Sequence, residues 1–187
     1  MQKLYVYADE SGRGMLPFVV AVVVVDDERD NLADTCQQIE RDTKKGVVKW
    51  ARADYQQRLS YLRAITNDPR FKGALFFTVF ERVDTYDMAT ISAIARAIEH
   101  ADPSGTHKIG VFVDGLSHAQ RREYSTQLRQ RVASFLDVRG VARDESNPLI
   151  RLADAVAGFV SDARDYKNKD VVALFGRVIA RGVLVRV

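Results

Sequence analysis

The chain has 187 residues, 47% apolar and 28% charged, a composition that excludes a disordered segment and fits one soluble globular domain spanning residues 1–187. Its single cysteine, Cys36, excludes an internal disulfide framework and a cysteine-ligated zinc site, each of which needs several thiols. The net charge of +3 does not by itself demand a nucleic-acid partner, but residues 115–187 carry 13 basic against 8 acidic side chains, whereas residues 1–114 carry 15 against 17.

Residues Lys3 to Ala8 alternate Leu4, Val6 and Ala8 with Tyr5 and Tyr7, the period of a half-buried strand. A turn follows at Asp9-Glu10-Ser11-Gly12-Arg13-Gly14, where glycines supply the positive φ that a tight reversal needs. Phe18 to Val25 is a nearly unbroken β-branched run, the pattern of a strand covered on both faces, and the two strands form a hairpin. The longest apolar run, Pro17 to Val25, is too short to span a membrane, and Met1 leads directly into a strand, so a cytoplasmic location is expected.

A helical insertion occupies about residues 30–70, with one helix from Asp30 or Asn31 to Arg41 and a second from Ala53 to Thr66. A third strand is expected from Gly73 to Glu81, and a helix from Tyr86 to Ala101 with Met88, Ile91, Ile94, Ala95 and Ile98 on one face. Ile109 to Val113 reads as an interior strand ending at Asp114-Gly115, and Ser117 to Ser134 as a polar helix bearing Arg121, Arg122, Arg129 and Arg131. Phe135 to Ala142 forms a fifth strand. Asn147 and Pro148 then cap and open a helix that runs to about Tyr166. Val171 to Arg181 is helical and Val183 to Val187 extended. A hairpin followed by strand and helix in alternation implies a mixed five-stranded α/β sheet with flanking helices.

Three acids stand where such a fold would gather them. Asp9 and Asp114 close two strands that, as parallel neighbours, deliver both carboxylates to one edge of the sheet, where open α/β sheets build their sites. Asp154 lies at the margin of the apolar face made by Leu149, Leu152, Ala153, Val156, Ala157 and Val160, and the small residues let that helix approach the sheet closely. Clustered carboxylates repel one another unless a cation holds them, and oxygen ligands favour Mg²⁺ or Mn²⁺. Each acid alone also reads as a turn cap or a solvated helix residue. Glu10 and Glu145 are additional candidate metal ligands, although the first stands on the opposite side of its strand from Asp9 and the second is also placed to favour a helix dipole. Lys49-Trp50, a cation beside an aromatic, suits contact with a nucleic-acid strand or packing on the sheet. His100, His107 and His118 lack metal-ligand spacing, and Cys36 has no neighbouring base.

The segments Tyr7-Ala8-Asp9-Glu10-Ser11-Gly12, Lys49-Trp50, Val111-Phe112-Val113-Asp114 and Glu145 to Gly158 resemble a family of unknown function from bacteria, archaea and phages. Its members open with an aspartate-glutamate-serine-glycine turn, end with a leucine-alanine-aspartate helix, and look like a branch of the ribonuclease-H-like superfamily. The resemblance spans about residues 3–165. It implies a Mg²⁺- or Mn²⁺-dependent nuclease working by a two-metal mechanism on DNA or RNA, with Asp9, Asp114 and Asp154 as metal-binding catalytic acids. Arg121, Arg122, Arg129 and Arg131 are expected to hold the nucleic-acid backbone. Arg151 stands where the family often has glutamine, which would set a cation beside the metal site and in contact with the nucleic acid. The superfamily's acid on the helix after the third strand has only Asp87 and Glu99 as loose counterparts here. The rival reading is a non-catalytic nucleic-acid or protein-binding module with the same fold. No membrane partner is expected, and homodimer formation is left open.

Overall fold

The computed structural model describes residues 2–14, 17–132, 135–141 and 147–187. Strand β1 (Lys3–Ser11) turns back into β2 (Phe18–Val25), and the insertion that follows contains α1 (Arg29–Asp42) and α2 (Tyr55–Asn67). Then come β3 (Leu75–Phe80), α3 (Tyr86–Ala101), β4 (Lys108–Asp114), α4 (His118–Arg131) and β5 (Phe135–Val141). The chain closes with α5 (Pro148–Arg164), α6 (Lys169–Ala180) and β6 (Leu184–Arg186).

The strands form one sheet in the order β5-β4-β1-β2-β3-β6. The β1/β2 and β2/β3 pairs are antiparallel, whereas β1/β4, β4/β5 and β3/β6 are parallel. The sheet therefore has six strands, not the expected five. The sixth is only three residues long, and it reaches the sheet because Val178, Val183 and Leu184 are buried against the face that α5 covers.

Side-chain alternation along β1 and β2 sorts the core into two layers, as strand geometry requires. Tyr7, Val19, Ala21 and Val23 face α5 and the helical insertion, while Val6, Ala8, Val20 and Val22 face α3 and α4. Every residue of β2 is buried, which accounts for its unbroken apolar run. Helix α5 supplies most of the first layer. Asn147 caps it by accepting the Leu149 and Ile150 amides, Pro148 sits in its first turn, and the small residues Ala153 and Ala157 let it press onto the sheet, while Gly158 makes room for Trp50 of the insertion.

The remaining boundaries lie close to those expected. Helix α2 begins at Tyr55, two residues later than expected, behind a reciprocal capping box between Asp54 and Gln57. Helix α4 ends at Arg131, because Val132 adopts extended dihedrals. Helix α5 ends at Arg164, two residues short of the expected Tyr166, which takes a left-handed φ of 53°.

Candidate functional site

The β1/β4 register aligns Ala8 with Val113, so the next residues along the two parallel strands are Asp9 and Asp114. Asp9 shares the parity of Tyr7, and Asp114 that of Phe112, whose ring stacks on Tyr7 at 4.9 Å. Both carboxylates thus lie on the face that α5 covers, on strands about 4.8 Å apart. Asp154 approaches from two turns into α5.

Asp9 is buried, and its Oδ1 accepts the Glu10 amide at 2.8 Å. Burial is the largest cause pushing its carboxyl up from 3.8 to about 8, and the negative charges of Asp154 and Asp114 add to it; the Glu10 amide and Lys49 oppose the rise. Asp154 is raised too, mainly by burial, against the Trp50 amide and the charges of Lys49 and Lys45. The three acids therefore act on one another electrostatically. Among the described residues, no three His, Cys, Asp or Glu side chains are already drawn around a common point.

Cations and donors from the insertion engage the acids instead. Lys49 Nζ donates to Asp114 Oδ2 at 2.8 Å, and the Trp50 amide donates to Asp154 Oδ2 at 2.7 Å. Partial burial works against the Lys49 charge, but its hydrogen bond to Asp114 and the fields of all three acids outweigh that and raise its pKa. Lys45 lies beneath. It is fully buried, donates to the Val48 carbonyl at 3.0 Å and stands 5.0 Å from the Tyr61 ring centroid.

An open cavity of about 800 Å³ adjoins the acids, lined by Asp9, Asp114, Lys49, Arg13, Arg52 and Gln120 among others. Glu10 also lines this cavity, but strand alternation turns its carboxylate away from Asp9 toward α3. Its carboxylate accepts Thr90 Oγ1 of α3 at 2.9 Å and Arg13 Nε at 2.6 Å, on the far face of the sheet. Asp87, at the start of α3, accepts from Arg13, Gln120 and Tyr124 at 3.2–3.3 Å, so it belongs to that second polar network. Glu99 lines a different cavity, beside Arg96 and Arg131.

Two of the expected nucleic-acid contacts are corrected. Trp50 is 5% exposed, its indole donates to Asp162 Oδ2 at 2.9 Å, and its ring packs over Gly158 of α5, so it offers no face for a base to stack on. Arg151 points its guanidinium at the buried Glu40, with Nε and Nη2 at 2.7 and 2.6 Å from the two carboxylate oxygens. It is a structural cation of the core. Arg121, Arg122 and Arg129 are exposed along α4 and line a groove with His118 and Asp137, while Arg131 faces the separate cavity beside Glu99. Glu145 lies outside the described residues. No helix among the described residues is long and apolar enough to cross a membrane.

Sequence reasoning missed the Lys49–Asp114 pair and the Glu40–Arg151 pair. Neither had a local signal, because their partners are 65 and 111 residues apart.

No protein-family model matches the chain, and no curated protein matches it. Solved structures do. Ribonuclease H2 from Pyrococcus horikoshii superposes with a TM-score of 0.61 at 15% identity, covering 88% of this chain and 74% of that one. A chain of the PCNA:RNase HII complex from Archaeoglobus fulgidus superposes with a TM-score of 0.54 at 16% identity, covering 96% and 90%. The chain has the ribonuclease-H-like fold, as the sequence resemblance implied.

Proposed function

We propose that the protein is a nuclease dependent on Mg²⁺ or Mn²⁺, hydrolysing phosphodiester bonds of DNA or RNA. The observation that carries this reading is the β1/β4 register, which sets the buried Asp9 beside Asp114 at the end of the parallel pair, with Asp154 of α5 near enough for its charge to act on Asp9. A buried acid cluster of this kind favours binding a cation.

The donor set fits a hard divalent ion. It is made of oxygens alone, from Asp9, Asp114 and Asp154, with no thiolate or imidazole that would favour zinc or copper. Such an ion would polarise a phosphoryl oxygen and lower the pKa of a bound water. The chain's own residues do the rest. Burial keeps Asp9 in a low-dielectric setting where its ionised form attracts a cation strongly, and Lys49, in the cavity wall, offsets part of the cluster's charge. Arg13 and Arg52 add positive charge to the cavity wall, and the α4 groove with Arg121, Arg122 and Arg129 offers guanidinium forks suited to phosphate oxygens. Glu10, held by Thr90 and Arg13, is assigned no ligand role.

The test is cleavage of single-stranded, duplex and branched DNA and RNA in Mg²⁺ and in Mn²⁺, with Asp9→Asn as the comparison. Wild type cleaves at least one substrate and Asp9→Asn none. Retained nucleic-acid binding with no cleavage by wild type would favour the binding module.

A further inference from the structure

Among the described residues, Val47 and Val48 are exposed apolar side chains that stand next to each other, and both line the cavity beside Asp9 and Asp114. They are 63% and 42% exposed. A single exposed valine needs no explanation. An adjacent pair on the wall of an acid-lined cavity is different, because a ligand that enters the cavity and covers the pair gains the free energy of taking apolar surface out of water.

The backbone holds the pair in place. Lys44 and Gly46 both take left-handed φ, 58° and 60°, and the Gly46 amide donates to the Glu40 carbonyl at 3.0 Å. Lys45, between them, is fully buried and donates its Nζ to the Val48 carbonyl at 3.0 Å. Two residues after Val48, the Trp50 amide donates to Asp154 Oδ2 at 2.7 Å. The segment is thus fixed from the core side at both ends, and it has little freedom left to lose when a ligand covers the valines.

The neighbouring charges indicate what that ligand is. Lys49, Arg13 and Arg52 line the same cavity. Lys49 is paired with Asp114, and Arg13 with Glu10 and Asp87, whereas the exposed Arg52 guanidinium has no ion-pair partner among the described residues. Apolar surface and an uncompensated cation therefore lie together. A duplex turns its phosphates and sugars outward and keeps its bases stacked, and valine offers a phosphate no hydrogen bond. A single strand can splay a base out, so that the base covers apolar side chains while the adjoining phosphate meets a cation. A second copy of the chain fits less well, because a stable interface buries about 1,200–2,000 Å², far more than two valines supply.

We infer that Val47 and Val48 form an apolar seat for an unpaired nucleobase, so that the strand entering the cavity is single-stranded DNA or RNA, or an unpaired stretch of either. The inference rests on the nuclease reading for placing a nucleic-acid strand in this cavity.

The probes are an oligothymidylate and an oligouridylate, each carrying a single 2-aminopurine, and the duplexes they form with complementary strands. Anisotropy gives the affinity and 2-aminopurine emission reports the surroundings of the base. Both are read in chelator, and again in Mg²⁺ on the Asp9→Asn background, so that cleavage enters neither measurement. Wild type binds the single strands more tightly than the duplexes and changes the 2-aminopurine emission. Val47→Ser with Val48→Ser weakens single-strand binding about tenfold and removes the emission change. The slope of log K against log salt stays as it was, because no charge has been altered. Val47→Thr with Val48→Thr, which keeps the β-branched shape, replaces the serine pair if circular dichroism shows that pair unfolded. Unchanged affinity in the folded variants, an equal loss on single strands and duplexes, a preference of wild type for duplex, or a wild-type dimer that the valine variants split overturns the inference and leaves the nuclease reading to its cleavage test. A wild type that binds none of the probes overturns both together.

Discussion

Trp50 and Gly158 interlock: a Cβ placed on Gly158 would stand 2.1 Å from Cδ1 of the Trp50 ring. This close fit fastens the insertion to α5 directly beside the acid cluster, so a glycine inside a helix, which costs about 1 kcal/mol relative to alanine in isolation, is retained here for the space it leaves. Through Trp50 that space sets the position of Lys49 and of the amide on Asp154.

Gly158→Ala is accordingly expected to destabilise the protein by about 1–3 kcal/mol, despite alanine's better helix propensity, because the methyl group must displace the indole. Thermal unfolding gives the loss. A red shift in the emission of Trp50, the only tryptophan, shows that the ring has moved into water.

Metal-free stability should fall as the pH rises. The Asp9 carboxyl titrates at about 8 in the folded protein, against an ordinary value of 3.8. Between those values the folded state holds a proton that the unfolded state has released. The stability is thus fully present below about pH 4 and is lost as pH rises through about 8. Asp154 shifts in the same direction. Melting temperature in chelator should drop by several degrees between about pH 5 and 8.5, a cost on the order of a few kcal/mol. Asp9→Asn should flatten this profile, and Mg²⁺ should restore wild-type stability at the alkaline end. A profile equally steep in Asp9→Asn would assign the effect to another group.

The Glu40–Arg151 pair is almost fully buried, with side-chain exposures of 3% and 11%. Arg151→Met strands the Glu40 charge in the core and should cost about 3–5 kcal/mol. The double variant Glu40→Leu with Arg151→Met should recover part of that loss, since the Glu40 charge is removed with its partner while the buried Lys45 loses the favourable field of Glu40. Denaturant unfolding of the wild type, both singles and the double measures the coupling.

Nucleic-acid binding should depend on α4 unevenly. Neutralising Arg121 and Arg122, which line the exposed groove beside β5, should weaken binding to all sequences alike and lower the slope of log K against log salt by about 1 for each phosphate the protein no longer neutralises. Arg131, lining a different cavity, should leave the slope unchanged. Binding isotherms at a series of salt concentrations separate the two.

Legibility of the fold and site followed the range of the interactions. Strand ends, the Asn147-Pro148 helix start and the apolar stripe of α5 are local patterns: the first bring Asp9 and Asp114 to one edge through topology, and the stripe sets Asp154 at the margin of the face that packs on the sheet. The period-2 rule also sent Glu10 to the far face, where Thr90 holds it. Strand β6 is not legible as a sheet member because three residues carry no usable period, and its pairing with β3 is fixed by packing. Trp50 and Arg151 have exposed-looking sequence contexts, since their partners Gly158 and Glu40 lie more than a hundred residues away. Gly158 inside an otherwise apolar helix was the one local hint that something large packs there.

Whether the three carboxylates hold a divalent cation can be seen in the anomalous scattering of Mn²⁺ soaked into crystals of the wild-type protein. A peak is expected about 2.1–2.3 Å from one oxygen each of Asp9, Asp114 and Asp154, and it should vanish in Asp9→Asn. An empty cluster, with any bound Mn²⁺ elsewhere on the chain, would refute the metal centre and the nuclease reading with it.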